Sequence, residues 1–209
     1  MTGNTRTRKK ILTTPNMTRI SILGSLAVIL MLVPYLRIEV IPHMYTLEFS
    51  NLPVLLGAFA MGPAAGMVIL AIKELIHLIV KGIADNGGVG NAADLIMSAA
   101  YILPASLLYM KHKTRKHAAL GMALGTGFIT VFGVLANWLI LLPFYTFVQG
   151  IPMEKIVKAV SAVFPFVTSE ATLLLYFVAP FNLVKGLAVS LITFLIYKPL
   201  SPILHEKIR

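Results

Sequence analysis

Six apolar segments divide this chain, at about residues 20–36, 51–62, 64–82, 92–110, 118–142 and 171–198. No other feature constrains the fold as much. A hydrocarbon layer about 30 Å thick takes about 20 apolar residues as a helix, and backbone groups inside it must pair within the protein. Such segments predict a bundle of membrane-spanning helices. Composition agrees: 57% of the 209 residues are hydrophobic and 12% are charged, against about 25% charged in a soluble domain. The length suits one membrane domain with no separate soluble unit.

The second segment is short for a span, and Met61-Gly62-Pro63 separates it from the third. A Gly-Pro pair is a turn signal. The two segments are either a tight helical hairpin or one long kinked helix, and basic residues decide between these. Twelve of the 18 Lys and Arg lie in three places: residues 1–19, the run Lys111 to His117, and the C-terminus with Lys198, Lys207 and Arg209. Cytoplasmic loops collect Lys and Arg. Three cytoplasmic clusters need an even number of crossings between each pair, which the hairpin provides and the kinked helix does not. The expectation is therefore an all-α fold, a polytopic bundle of six transmembrane helices with both termini cytoplasmic. The divisions are a basic tail at 1–19, the membrane domain at 20–198 and a C-terminal tail at 199–209.

The N-terminus has the charge pattern of a signal peptide, but Val33-Pro34-Tyr35-Leu36-Arg37 offers no small-x-small cleavage site. The first segment therefore reads as an uncleaved helix. The net charge of +10 follows the membrane ends rather than a nucleic-acid face, so the partner it implies is the lipid bilayer and not nucleic acid. The absence of cysteine excludes disulfides, thiolate metal sites and cysteine nucleophiles.

Three loops fall on the opposite face: 37–50, 83–91 and 143–170. They carry Glu39, Glu48, Asp85, Glu154 and Glu170, most of the acidic residues. Long connections in a compact bundle tend to be functional. The first, Val40 to Phe49, is apolar and aromatic for a loop. It reads either as a lid over the bundle or as an interfacial segment with Tyr45 in the aromatic belt.

Small residues recur at four-residue spacing: Ser21 and Ser25 around Gly24 on the first helix, Gly62 and Gly66, and Gly121 and Gly125. Such spacing lets helices approach closely, either inside the bundle or against another membrane protein. The first helix, being terminal, is the best candidate for docking.

The chain has no P-loop, no G-x-S-x-G and no H-E-x-x-H, so it carries no ATP site or hydrolase motif of those kinds. Glu74-x-x-His77 is metal-capable, but di-iron bundles need two such motifs and two further Glu. One copy predicts no metal site. Lys73, Glu74 and His77 read as polar packing, with the adjacent Lys73 and Glu74 expected on different faces. Asn91 follows a glycine run and reads as a helix N-cap, or as a polar group at the outer face.

The most telling polar groups lie in Pro180-Phe181-Asn182-Leu183-Val184-Lys185-Gly186, inside the last apolar segment. A central Lys costs about 2.5–3.5 kcal/mol on insertion scales. Asn182 and Lys185, three apart, share a helix face. Asn137 sits near the outer end of the fifth segment, before Leu142-Pro143-Phe144-Tyr145. It reads either as an interhelical hydrogen bond or as an amide offered to a planar ligand. Asn137, Asn182 and Lys185, with Tyr45, Phe49, Phe144 and Tyr145, are the makings of an apolar pocket with a few placed polar groups.

These residues carry a resemblance. Phe49-Ser50-Asn51-Leu52-Pro53-Val54-Leu55-Leu56-Gly57, Gly133-Val134-Leu135-Ala136-Asn137-Trp138, Leu142-Pro143-Phe144-Tyr145 and Pro180-Phe181-Asn182-Leu183-Val184-Lys185 resemble the riboflavin-binding S component (RibU) family of bacterial energy-coupling factor (ECF) transporters. The resemblance implies a multi-pass subunit of the bacterial cell membrane that binds riboflavin from the extracellular side and is not an enzyme. It implies riboflavin as transported ligand with no cofactor. Asn182, Lys185 and Asn137 would contact the ligand, and the first outer loop, with Tyr45, Leu47 and Glu48, would cover it. Phe49, Asn91 and Tyr145 complete the candidate site. Partners would be a T component and two ATP-binding subunits. Docking in the family uses Ala-x-x-x-Ala on the first helix, where this chain has Ser21, Gly24 and Ser25. The alternatives are an S component for another vitamin, or a carrier that works alone.

Overall fold

In the computed structural model, residues 14–41, 44–82 and 88–205 are described, with side chains as far as Tyr197. The basic residues before Thr14, Pro42-His43, the loop with Asp85 and the last basic residues, Lys207 and Arg209, lie outside the described residues. Eight α-helices and one β hairpin are described. The helices are α1 (Thr14–Leu32), α2 (Asn51–Met61), α3 (Pro63–Lys81), α4 (Val89–Lys111), α5 (Arg115–Ala136), α6 (Met153–Ser161), α7 (Glu170–Leu173) and α8 (Ala179–His205).

Five helical stretches are long and apolar enough to cross a membrane: Thr14–Leu32, Pro63–Lys81, Val89–Lys111, Arg115–Val148 and Glu170–Tyr197. The chain is a multi-pass helical membrane protein. α2 has 11 residues, which at 1.5 Å per residue falls well short of the layer. The Gly62-Pro63 break stands where expected: α2 ends at Met61, Gly62 takes a positive φ of 107°, and Pro63 opens α3. From Asn51 to Phe59, α2 is buried throughout, packed among α1, α3, α4 and α8.

The chain is mostly helical, as expected of an all-α membrane bundle, with one added element. The connection between α1 and α2 pairs β1 (Arg37–Ile41) with β2 (Tyr45–Glu48) in an antiparallel hairpin, with Arg37 opposite Glu48 and Ile38 opposite Leu47. Runs of β-branched and aromatic residues favour paired strands over irregular chain. Past Ala136 and before Ala179 the helices widen into π turns at Asn137–Leu141, Phe144–Val148 and Leu174–Val178. Such widenings concentrate at functional sites. The connection between the π turns after α5 and α7 carries the amphipathic α6.

Polarity is inverted relative to a soluble protein. Ile22, Leu26 and Ile29 on α1, Leu124, Phe128 and Val131 on α5, and Leu187, Leu191 and Leu195 on α8 are exposed, while Lys73, Glu74, Asn137, Asn182 and Lys185 are buried. Hydrocarbon solvates the former and the protein interior must pair the latter. One apolar cluster gathers α1 to α5 around Phe59 and Tyr101. A second, at the hairpin end, joins Ile41 and Tyr45 to Leu142, Ile156, Val160 and Phe177. α4 and α5 approach at Gly121 and Gly125, where an added Cβ would lie 2.5 Å from the carbonyl oxygens of Ala105 and Tyr101. This glycine pair serves internal packing.

Candidate functional site

A cavity of about 720 Å³ opens between the hairpin, the ends of α3 and α4, the π turns after α5, and α8. That is within the roughly 300–1,000 Å³ of small-molecule sites. Its wall includes Tyr45, Glu48, Asn91, Asn137, Tyr145, Asn182 and Lys185, residues separated by up to 140 positions in the chain. Leu47 and Phe49 lie outside the lining; Phe49 packs against the apolar cluster around Phe59 and Tyr101. Phe144 packs with the cluster at the hairpin end.

The hairpin is fastened to the bundle at two points. The Tyr45 hydroxyl donates to Asn137 Oδ1 at 2.7 Å, and Asn137 Nδ2 donates to the Gly133 carbonyl at 2.8 Å. Edge contacts of the Tyr45 ring with Phe177 (4.8 Å) and Phe181 (5.7 Å) hold the same point. Burial, and secondarily the neighbouring Tyr145, pushes the Tyr45 phenol above its ordinary range, which keeps it a hydrogen-bond donor. At the second point Lys185 Nζ lies 2.9 Å from Glu48 Oε1. The Ser50 N–H donates to Glu48 Oε2 at 2.6 Å. Burial alone would raise the Glu48 carboxyl, but the Lys185 and Lys73 ammoniums outweigh it and hold it below its ordinary range.

Asn182 donates through Nδ2 to the Val178 carbonyl at 2.9 Å, and no donor among the described residues reaches its Oδ1. Asn182 is 4% exposed and lines the cavity, so that oxygen is available to a bound molecule. Space for the amide comes from Gly133, where a Cβ would lie 2.5 Å from Asn182 Cγ.

Behind this wall lies a charged network. Lys73 Nζ reaches Asp94 Oδ2 at 2.8 Å and Glu74 Oε1 at 2.8 Å, and donates to Ser50 Oγ at 3.0 Å. Asp94 Oδ1 is 3.5 Å from Lys185 Nζ. Asn51 donates to Ser98 at 2.9 Å, and Ser98 donates to Asp94 at 3.3 Å. Three carboxylates and two ammoniums thus face one another at the cavity's inner edge. Adjacent Lys73 and Glu74 do meet, contrary to the helix-face expectation, because both side chains are long and flexible enough to bring Nζ within 2.8 Å of Oε1. Asn91 is not an N-cap: α4 begins at Val89 after Gly88, and Asn91 Nδ2 lies 2.9 Å from both Glu74 Oε2 and His77 Nδ1. Glu74 and His77 are thereby used in packing. Among the described residues no group of three or more His, Cys, Asp or Glu is placed to hold a metal ion.

Asp94, which lines the cavity, is the residue that sequence reasoning did not select; Lys73, read there as polar packing, lies behind the lining. The available signal was the one used for Lys185, a charge inside an apolar helix. Of the docking candidates, Ser21 and Ser25 are exposed on α1, whereas Gly24 is buried with Ile72 of α3 3.3 Å from where its Cβ would be.

The arrangement is a binding geometry: a partly apolar cavity with placed amides, one buried ammonium and a hairpin as one wall, in a multi-pass membrane protein. The family model for the substrate-specific component of ECF transporters matches residues 15–197, and the chain belongs to that family. It is thus a transporter component rather than an enzyme. It is 28% identical over 188 residues to the riboflavin transporter FmnP of Bacillus subtilis, covering 90% of this chain and 93% of the relative. It is 25% identical over 187 residues to the riboflavin transporter RibU of Staphylococcus aureus, covering 90% of both. A solved structure, described as that of the S component of a bacterial ECF transporter, superposes with a TM-score of 0.66. It is 26% identical and covers 91% of this chain and 97% of that one.

Proposed function

We propose that this chain is the riboflavin-binding S component of an ECF vitamin transporter in a bacterial cell membrane. The observation that carries the reading is the meeting of Asn137, Asn182 and Lys185 at one cavity, in a chain whose relatives are named riboflavin transporters. A flat heteroaromatic ring with donors and acceptors along its edge suits two amides and an ammonium. Asn182 Oδ1 accepts from such an edge, Lys185 donates to it, and Tyr45 and Tyr145 flank the ring. Asn91 and Glu48 address the polar remainder, and Leu47 and Phe49 support the hairpin and its junction with α2 from outside the lining.

The cavity faces the extracellular side in this reading, with both termini and the Lys111 to His117 turn in the cytoplasm. The buried α2 counts with α3 as the return crossing that keeps the basic clusters together, making six. The tails at 1–19 and 199–209 flank the membrane domain. Ser21 and Ser25, on the exposed face of α1, meet a T component that carries two ATP-binding subunits, while Gly24 seats α1 on α3. The chain needs no cofactor of its own.

The test is titration of the purified protein, freed of bound ligand, with riboflavin while flavin fluorescence is followed. Saturable quenching, with flavin absorption bands in the preparation as isolated, supports the reading; no quenching up to micromolar protein overturns it. Uptake into liposomes by the chain alone would instead favour an autonomous carrier.

A further inference from the structure

Lys185 stands between two carboxylates, Glu48 at 2.9 Å and Asp94 at 3.5 Å. Only the first joins it to the hairpin. Which carboxylate holds Lys185 depends on what else holds Asp94, and Asp94 is already taken: Lys73 Nζ lies 2.8 Å from its Oδ2. Lys73 is wholly buried and does not line the cavity. A cavity-bound molecule cannot touch it, so any influence on binding passes through other residues. Lys73 has two routes to the hairpin: Asp94, and the Ser50 hydroxyl at 3.0 Å, whose own N–H holds Glu48.

We infer that Lys73 is a positioning residue of the site: by occupying Asp94 it leaves Lys185 to Glu48, and so holds the hairpin against α8. The inference rests on reading the cavity as the ligand site, but its central claim concerns the ligand-free protein. Removing the Lys73 ammonium leaves Asp94 uncompensated in a region of low dielectric, where charges attract strongly. Lys185 is the nearest remaining cation and moves towards Asp94. Glu48 then loses its ion pair, and the hairpin opens more often.

The experiment is hydrogen exchange at the hairpin amides of Arg37–Ile41 and Tyr45–Glu48 in riboflavin-free protein held in lipid nanodiscs. It compares wild type, Lys73→Met, Lys185→Met and the charge-balanced double variant Lys73→Met/Asp94→Asn. Lys73→Met and Lys185→Met are each expected to speed hairpin exchange by at least about tenfold, the scale of a lost buried ion pair. The double variant is expected to return exchange to within about threefold of wild type, because Lys185 no longer has a competing carboxylate. A purely structural role for Lys73 speeds exchange in Lys73→Met across α3 and α4 as much as in the hairpin, whereas the inference confines the gain to the hairpin. Unchanged exchange in Lys73→Met, or exchange in the double variant as fast as in Lys73→Met, overturns the inference. Riboflavin titrations on the same samples separate the two ideas. A wild type that binds no riboflavin ends the flavin reading, while the exchange pattern still decides the role of Lys73.

Discussion

The hydroxyl of Tyr45 and the amide oxygen of Asn137 lie 2.7 Å apart across 92 residues of chain. Through this bond the hairpin meets the fifth helix where its α geometry gives way to a π turn. Tyr45→Phe removes the donor and leaves Asn137 Oδ1 buried without a protein partner, a loss of about 1–3 kcal/mol. The expected outcome is a weaker affinity for riboflavin with a faster dissociation rate, read by stopped-flow fluorescence. An unchanged dissociation rate would show that this bond does not restrain the hairpin.

Gly133 determines where Asn182 can sit. In Gly133→Ala the new Cβ would fall 2.5 Å from Asn182 Cγ, and the amide or α8 must shift. Overpacking of this kind costs about 1–3 kcal/mol. Riboflavin affinity is expected to fall by more than thermal stability, because the displaced group is the one facing the cavity. Full retention of affinity in fluorescence titrations would remove Asn182 from the proposed contacts.

Asn182→Ala and Lys185→Ala act directly. Each is expected to weaken riboflavin binding by about 1–3 kcal/mol, since partners are left buried and unpaired. Lys185→Ala also strands Glu48, so it should loosen the hairpin, whereas Asn182→Ala should not. Titration together with hydrogen exchange at β2 distinguishes the two.

The Glu48 carboxyl titrates below its ordinary value of 4.5 in the folded protein. Its pairing with Lys185 therefore stabilises the folded state at every pH above that ordinary value, and is lost as pH falls through the lowered one. Thermal melting in detergent is expected to be flat in this contribution from pH 7 to about 4.5, then to fall at more acid pH. Glu48→Gln should show a shallower acid limb; an identical limb in both proteins would refute the assignment.

Bulky substitutions on α1 separate binding from delivery. Ser21→Phe and Ser25→Phe point outward from the bundle and are expected to spare riboflavin titration while abolishing uptake in cells that supply the transporter's other subunits. Gly24→Phe should instead destabilise the chain, because its Cβ would sit 3.3 Å from Ile72. Normal uptake by both Ser variants would move the docking surface elsewhere.

How far the fold was legible depends on the range of the interactions. The long apolar segments, the Gly62-Pro63 break and the cost of Asn137, Asn182 and Lys185 in hydrocarbon are local or compositional, and each could be read without a structure. Tertiary structure decided which polar groups share a cavity, that Arg37–Ile41 pairs with Tyr45–Glu48 as a hairpin, and that α4 starts at Val89 so that Asn91 faces α3. It also decided that Lys73 turns to Asp94 and Glu74, and that Lys185 is shared between Glu48 and Asp94. The physical reason is reach. Hydropathy reports what each segment is dissolved in, but a buried charge is satisfied by whichever opposite charge the packing brings within about 4 Å, and for Lys185 those partners, Glu48 on β2 and Asp94 on α4, are distant in the chain.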